Sequence, residues 1–141
     1  MILSQHRQDA LDLWVTTEPY SSFPCGTIAW RLLPALDSGQ IKLFYRGDKC
    51  VGLVTWAFMT EEEFDTREYD GSEIFSRDTG DLLVVIDMIA PGGRSDVLWI
   101  SRSMQKYLHS CYPGVSKIFG HRGERVGFFT NKGTWNEVHA A

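Results

Sequence analysis

Asp87 follows five consecutive apolar residues, Leu82 to Ile86, the longest such run in the chain. An ionised carboxylate there is costly to bury without a partner. The same burial can raise its pKa until it serves as a base. The competing reading is a structural aspartate that caps the Pro91–Ser95 turn. Beyond it, Gly92-Gly93-Arg94-Ser95 leads from a strand into a helix start. Unpaired N–H groups and the helix dipole make such a turn an anion site, although the same string is more often only a turn. His121-Arg122-Gly123-Glu124-Arg125 gathers a histidine, two arginines and a glutamate. That cluster suits an acidic surface or a phosphate, or equally a solvated turn.

The remaining reactive side chains read as structural. Cys25, Cys50 and Cys111 are far apart and odd in number, neither a disulfide framework nor a metal knuckle. They are expected to be small buried hydrophobes. His109 falls near a helix C-terminus, where it favours the dipole, and is given no function. Glu61, Glu62 and Glu63 read as a solvated first helical turn. Trp30, Trp56 and Trp99 read as core, with the lining of an apolar channel as the other use for such rings. No metal-ligand spacing, P-loop or G-x-S-x-G elbow is present.

These residues need a frame. Apolar spacing over Leu3–Thr16 predicts a helix. Glu18 to Pro24, with two prolines and two serines, predicts an extended loop. A second helix is expected over Gly26–Leu36, with a kink or early end at Pro34. Ile41–Tyr45 and Val51–Phe58 form a hairpin signal around Gly47. Thr60 and Glu63 predict a capping box, and 65–80 reads as a connection or short helix. Leu82–Ile89 reads as a strand in the interior of a sheet. Ser95 is expected to cap a helix buried along Val97, Ile100, Met104, Leu108 and Cys111. Val115–Gly120 and Arg125–Thr130 complete the strands, and the tail from 131 reads as loose. The order α-α-β-β-(α)-β-α-β-β predicts one mixed α/β domain spanning 1–141.

Composition narrows the class. The 141 residues are 43% hydrophobic and 13% aromatic, which excludes disorder. With 14 Lys and Arg against 18 Asp and Glu, the net charge is −4, so a uniformly basic nucleic-acid binder is not expected. No apolar run reaches the roughly 18 residues of a membrane span. Met1 to Ala10 carries Gln5, His6, Arg7, Gln8 and Asp9 where a signal peptide needs an apolar core. A cytoplasmic location is therefore expected.

Several strings then occur in one order: Leu33-Pro34-Ala35-Leu36, Gln40, Trp56-Ala57, Thr79-Gly80-Asp81, Ile86-Asp87-Met88-Ile89-Ala90-Pro91-Gly92-Gly93 and Arg125-Val126-Gly127. From about Trp14 to Gly133 the chain resembles the toxin-activating lysine acyltransferases of RTX haemolysin systems. The resemblance implies a single GNAT-like domain whose mixed, mainly antiparallel sheet is flanked by helices. It implies transfer of a fatty acyl group from acyl carrier protein, or from acyl-CoA, to a lysine of a protein substrate. No permanently bound cofactor is implied, and a homodimer is one possible state. Of the family's catalytic histidine and aspartate, the aspartate corresponds to Asp87. The histidine position, six residues after Trp14 and four before Pro24, holds Tyr20.

Acyl transfer to lysine needs a neutral amine, yet the lysine reference pKa is about 10.4. A histidine near 6.5 suits the role of base, whereas a tyrosine near 10 is protonated at neutral pH. Tyr20 is therefore expected to donate a hydrogen bond, with Asp87 as base or orienter and the donor thioester held by Gly92, Gly93, Arg94 and Ser95. The rival reading is a catalytically lapsed binding or inhibitory module, from a virus or mobile element, acting through protein–protein contacts.

Overall fold

The computed structural model describes residues 2–122, 125–130 and 133–138. Helix α1 (Ile2–Thr16) buries Ala10, Leu13 and Trp14. A 3₁₀ turn at Tyr20–Ser22 replaces the expected extended loop, and the Ser21 and Ser22 hydroxyls donate to the Glu18 carboxylate. The chain is then helical from 25 to 38. It begins as α2 (Cys25–Thr27), widens into a π segment (Ile28–Leu32) and ends as α3 (Leu33–Ser38).

Pro34 explains the widening. It has no N–H, and its ring crowds the carbonyl four residues earlier, which belongs to Trp30. The wider turn lets the Leu33 N–H reach the Ile28 carbonyl and absorbs the misfit without a break. The Trp30 carbonyl lies against Gly71 instead, so close that a Cβ on residue 71 would fall 1.7 Å from its oxygen. Only glycine allows α5 (Gly71–Ile74) this approach.

The sheet follows the chain order. β1 (Ile41–Arg46) and β2 (Lys49–Met59) form the hairpin, β3 (Leu82–Ile89) pairs antiparallel with β2, and β4 (Lys117–Arg122) pairs parallel with β3. β5 (Arg125–Thr130) and β6 (Trp135–Glu137) continue antiparallel. β3 thus lies between two other strands, as its apolar run predicts. The tail from 131 was expected to be loose, but Trp135–Glu137 pairs with β5 as β6; 131, 132 and 139–141 lie outside the described residues.

Helix α4 (Glu61–Thr66) starts on the predicted capping box, with Thr60 and Glu63 satisfying each other's backbone N–H groups. Glu63 is more than a solvated residue, because Arg77 grips both its oxygens at 2.6 and 3.0 Å. Helix α6 (Arg94–Cys111) is the crossover between the two parallel strands. It covers one face of the sheet with Ile100, Met104 and Leu108, while α1 and the 25–38 helix cover the other with Trp14 and Leu32.

Several expectations fail here. Gly93, at φ 100°, precedes the first helical residue of α6, so Ser95 lies inside the helix and caps nothing. Val97 is 40% exposed, and Cys111 is also exposed. Cys25 is exposed, whereas Cys50 is half-buried and packs against the core beneath α1, so the expectation of buried cysteines holds only in part and only for Cys50. Trp56 is buried, but Trp30 and Trp99 are 43% and 36% exposed. Trp30 and Trp99 instead stack with arginines, Arg31 and Arg46 respectively. No helix among the described residues is long and apolar enough to cross a membrane.

Candidate active site

The site begins with an irregularity in β3. Thr55 pairs with Asp87, but the next residue, Trp56, pairs with Val85, so Ile86 is an extra residue. Val85 and Met88 pack on the α6 side of the sheet, whereas Val84, Ile86 and Ile89 pack on the other. Strict alternation would send Asp87 after Val85 towards α6. The bulge turns it instead towards the 25–38 helix.

There Asp87 meets Arg31. The Arg31 Nε donates to Asp87 Oδ2 at 3.2 Å, and its Nη2 makes a close contact with Oδ1. The Asp87 side chain is 1% exposed and the Arg31 side chain 20%. Rings of Trp14, Phe23 and Trp30 lie 5.6–5.7 Å from the guanidinium carbon. The Asp87 N–H donates to the Thr55 hydroxyl at 3.1 Å. Asp87 therefore does not cap the Pro91–Ser95 turn. Burial pushes its carboxyl above the usual range, against the opposing pull of Arg31.

Tyr20 closes the cluster. Its ring packs edge-on against Trp14 and Phe23, with centroids 4.7 and 5.4 Å away. Its hydroxyl lies within electrostatic reach of the Asp87 carboxylate and the Met88 backbone. Burial, and then the Asp87 charge, push the phenol well above its ordinary value, so it stays protonated. A carboxylate only accepts, so in this pair the phenol is the group that can donate. Its oxygen keeps lone-pair capacity for other donors.

Beyond Tyr20 the sheet parts. β3 and β4 pair only at Leu83–Ile118 and Val84–Phe119. A cleft of about 610 Å³ enters the gap, walled by Val85, Ile86 and Met88 of β3, Val97, Leu98 and Met104 of α6, and Phe119 and His121 of β4. Phe129 and Trp135 extend the apolar wall, and Tyr20, Arg94, Ser101 and His121 are its polar members. Such a volume and lining suit a small apolar ligand. A second cavity of about 200 Å³ lies on the other side of His121 and is bordered by Arg31, Arg67 and Tyr69.

The four residues of the glycine turn are divided. Gly92 packs under Asp96, whose Oδ2 would lie 2.1 Å from a Cβ at 92. Arg46 donates to Asp96 Oδ1 at 3.0 and 2.7 Å, so the start of α6 already carries a paired carboxylate. Gly92 borders a different cavity with Asp9, Asp12 and Asp48. Of the four, Arg94 is the one that lines the cleft. The segment 123–124 of the basic turn lies outside the described residues.

Arg31 was missed in the sequence. Its signal is its position three residues after Ile28 and four before Ala35, on the same stripe as the apolar residues. A cation on a buried face requires an anion, and Asp87 was an anion in search of a cation. Among the described residues, no group of three or more His, Cys, Asp or Glu side chains could hold a metal.

The parallel strands of this α/β domain thus part around an apolar cleft that Tyr20 lines, with the Arg31–Asp87 pair behind it. Residues 9–126 match the RTX toxin acyltransferase family, and the chain belongs to it. It is also 29% identical over 129 residues to the protein-lysine myristoyltransferase HlyC of Escherichia coli, an alignment covering 90% of this chain and 70% of that protein. The matched span includes Tyr20, Arg31, Asp87 and His121.

Proposed function

We propose that this protein transfers a fatty acyl group from a thioester, carried by acyl carrier protein or coenzyme A, to the ε-amine of a protein lysine. The observation that carries this reading is the buried Arg31–Asp87 pair beside Tyr20, which lines the apolar cleft. The acyl chain would occupy the cleft, with Arg94 at its rim available to a phosphate of the donor. Gly92, Gly93 and Ser95 contribute by setting the start of α6. Asp87 is held by an arginine fork and covered by Tyr20, so it acts as an orienter. Its charge polarises Tyr20, whose oxygen then accepts a hydrogen bond from the incoming amine. Membership of an acyltransferase family supports the reaction type.

The test is intact mass spectrometry of lysine-bearing protein substrates after incubation with acyl carrier protein or acyl-CoA thioesters. Acyl adducts on lysine are expected. Tyr20→Phe keeps the ring packing and removes the polarised oxygen. One charge-assisted hydrogen bond is worth about 1.5–3 kcal/mol, so a loss of roughly 10- to 100-fold in kcat/KM is expected. Absence of lysine adducts with every donor, together with tight binding to a protein partner, would replace this reading by a binding module.

A further inference from the structure

We propose that His121 takes the proton released when the lysine amine attacks the thioester in the cleft. The inference rests on the acyl-transfer reading and adds a group that it leaves unassigned. Forming an amide from an amine frees one N–H proton, and some group within reach must accept it.

The walls of the cleft offer few acceptors. Among the described residues that line it, the titratable side chains are Tyr20, Arg94 and His121. Arg94 cannot accept, because a guanidinium stays charged. Tyr20 already bears its proton and could take another only as an oxonium. Asp87 does not line the cleft and is 2% exposed. Protonating it would also undo its pairing with Arg31. His121 alone combines access with a basicity suited to neutral pH.

The fold places this imidazole deliberately. It sits on β4 two residues past Phe119, the last residue paired with β3. It therefore stands where the two strands have separated, and it borders both the main cleft and the smaller cavity. Its ring rests on Phe64 of α4, with centroids 5.0 Å apart and a tilt of 37°. On β5 it is opposite the uncharged Val126. The charged groups that share its cavities are Arg94 in the cleft, and Arg31 and Arg67 in the smaller cavity, with the neutral Tyr69 beside them. No aspartate or glutamate lines either cavity among the described residues. Burial, and then Arg67, hold the imidazole below its ordinary pKa. It is thus neutral at pH 7, with a lone pair available.

The step balances. The amine lone pair forms the C–N bond at the thioester carbonyl, and the nitrogen passes its proton to His121. The tetrahedral intermediate collapses with cleavage of the C–S bond. The imidazolium returns the proton to the departing thiolate, leaving an amide and a free thiol.

The experiment measures kcat/KM for acyl transfer against pH in the wild-type chain and in His121→Gln. The wild type should lose activity on the acid side with a midpoint below about 6.5. The variant should lose about 10²- to 10⁴-fold at pH 7, regain activity as the pH rises, and be rescued in part by free imidazole. Should the glutamine variant not fold, His121→Asn takes its place. A variant with wild-type rates, or one depressed equally at every pH without imidazole rescue, would overturn the role of His121 while leaving acyl transfer standing. A wild-type chain that transfers no acyl group at any pH would overturn both.

Discussion

Replacing Arg31 by methionine leaves a carboxylate buried without its counter-ion, and the cost follows from the geometry. The methionine stem keeps the apolar contacts to Trp14, Phe23 and Trp30 that surround the guanidinium. The Asp87 side chain, 1% exposed, has no route to solvent. Breaking one side of such a pair typically costs about 3–5 kcal/mol. For a domain of this size that is a fall of about 10–20 °C in Tm. The pH dependence gives the sharper signature. The folded pKa of Asp87 already lies above its unfolded value. Stability linked to this group is then fully present below the unfolded value, near 3.9, and is lost as pH rises through the folded value. Removing Arg31 raises the folded value further. The deficit of the variant relative to wild type should therefore be largest at pH 7–8 and shrink on acidification towards about pH 4. Urea denaturation of both proteins across that range measures it. Arg31→Met combined with Asp87→Leu should recover most of the loss, since the charge is then gone from both sides. A deficit under about 1 kcal/mol, the worth of an exposed pair, would refute the reasoning. So would a deficit that does not change with pH.

Gly71→Ala should destabilise by about 3 kcal/mol or more, because the new Cβ would fall 1.7 Å from a backbone oxygen that cannot yield. It should also lower acyl transfer by displacing the turn that carries Arg31, which activity per folded molecule would reveal. Arg77 holds the Glu63 carboxyl down to about 2. A depressed carboxyl adds stability above its unfolded value that is lost as pH falls through the folded one. Arg77→Met should therefore melt below wild type at pH 7, and the two curves should converge as the pH approaches about 2.

The parts of this protein that were legible from sequence are those settled within a few residues. The Thr60–Glu63 box and the turn at Gly47 depend on neighbours in the chain, and both form. The interior position of β3 follows from a run too apolar to face water. The site was half legible. Asp87 was conspicuous because a charge interrupts that run. Its partner lies 56 positions away, and that pairing depends on the bulge at Ile86, which no local pattern records. Ser95 was misread because a good cap residue competes with a glycine that can adopt φ 100°. Trp135 was misread because a three-residue strand has no pattern of its own and exists only where β5 offers an edge. Trp30 and Trp99 look like core in composition, but their faces are used by arginines.

The π segment at Ile28–Leu32 acts as a phase shift in the helix that contains it. It inserts one residue without a loop, so everything after it is rotated by roughly 100° relative to an unbroken α-helix. Arg31, within the segment, is aimed at Asp87, while Ala35, beyond it, is buried against Phe64 and Phe75 of the same face. The widened turn lies between these two alignments and sets the angle from one to the other. Deleting a single residue from the segment would still leave a good helix, and circular dichroism would register little. Yet one half would turn away, taking either the arginine from the carboxylate or the alanine from the core. The length of this helix, as much as its composition, is thus under the control of the site.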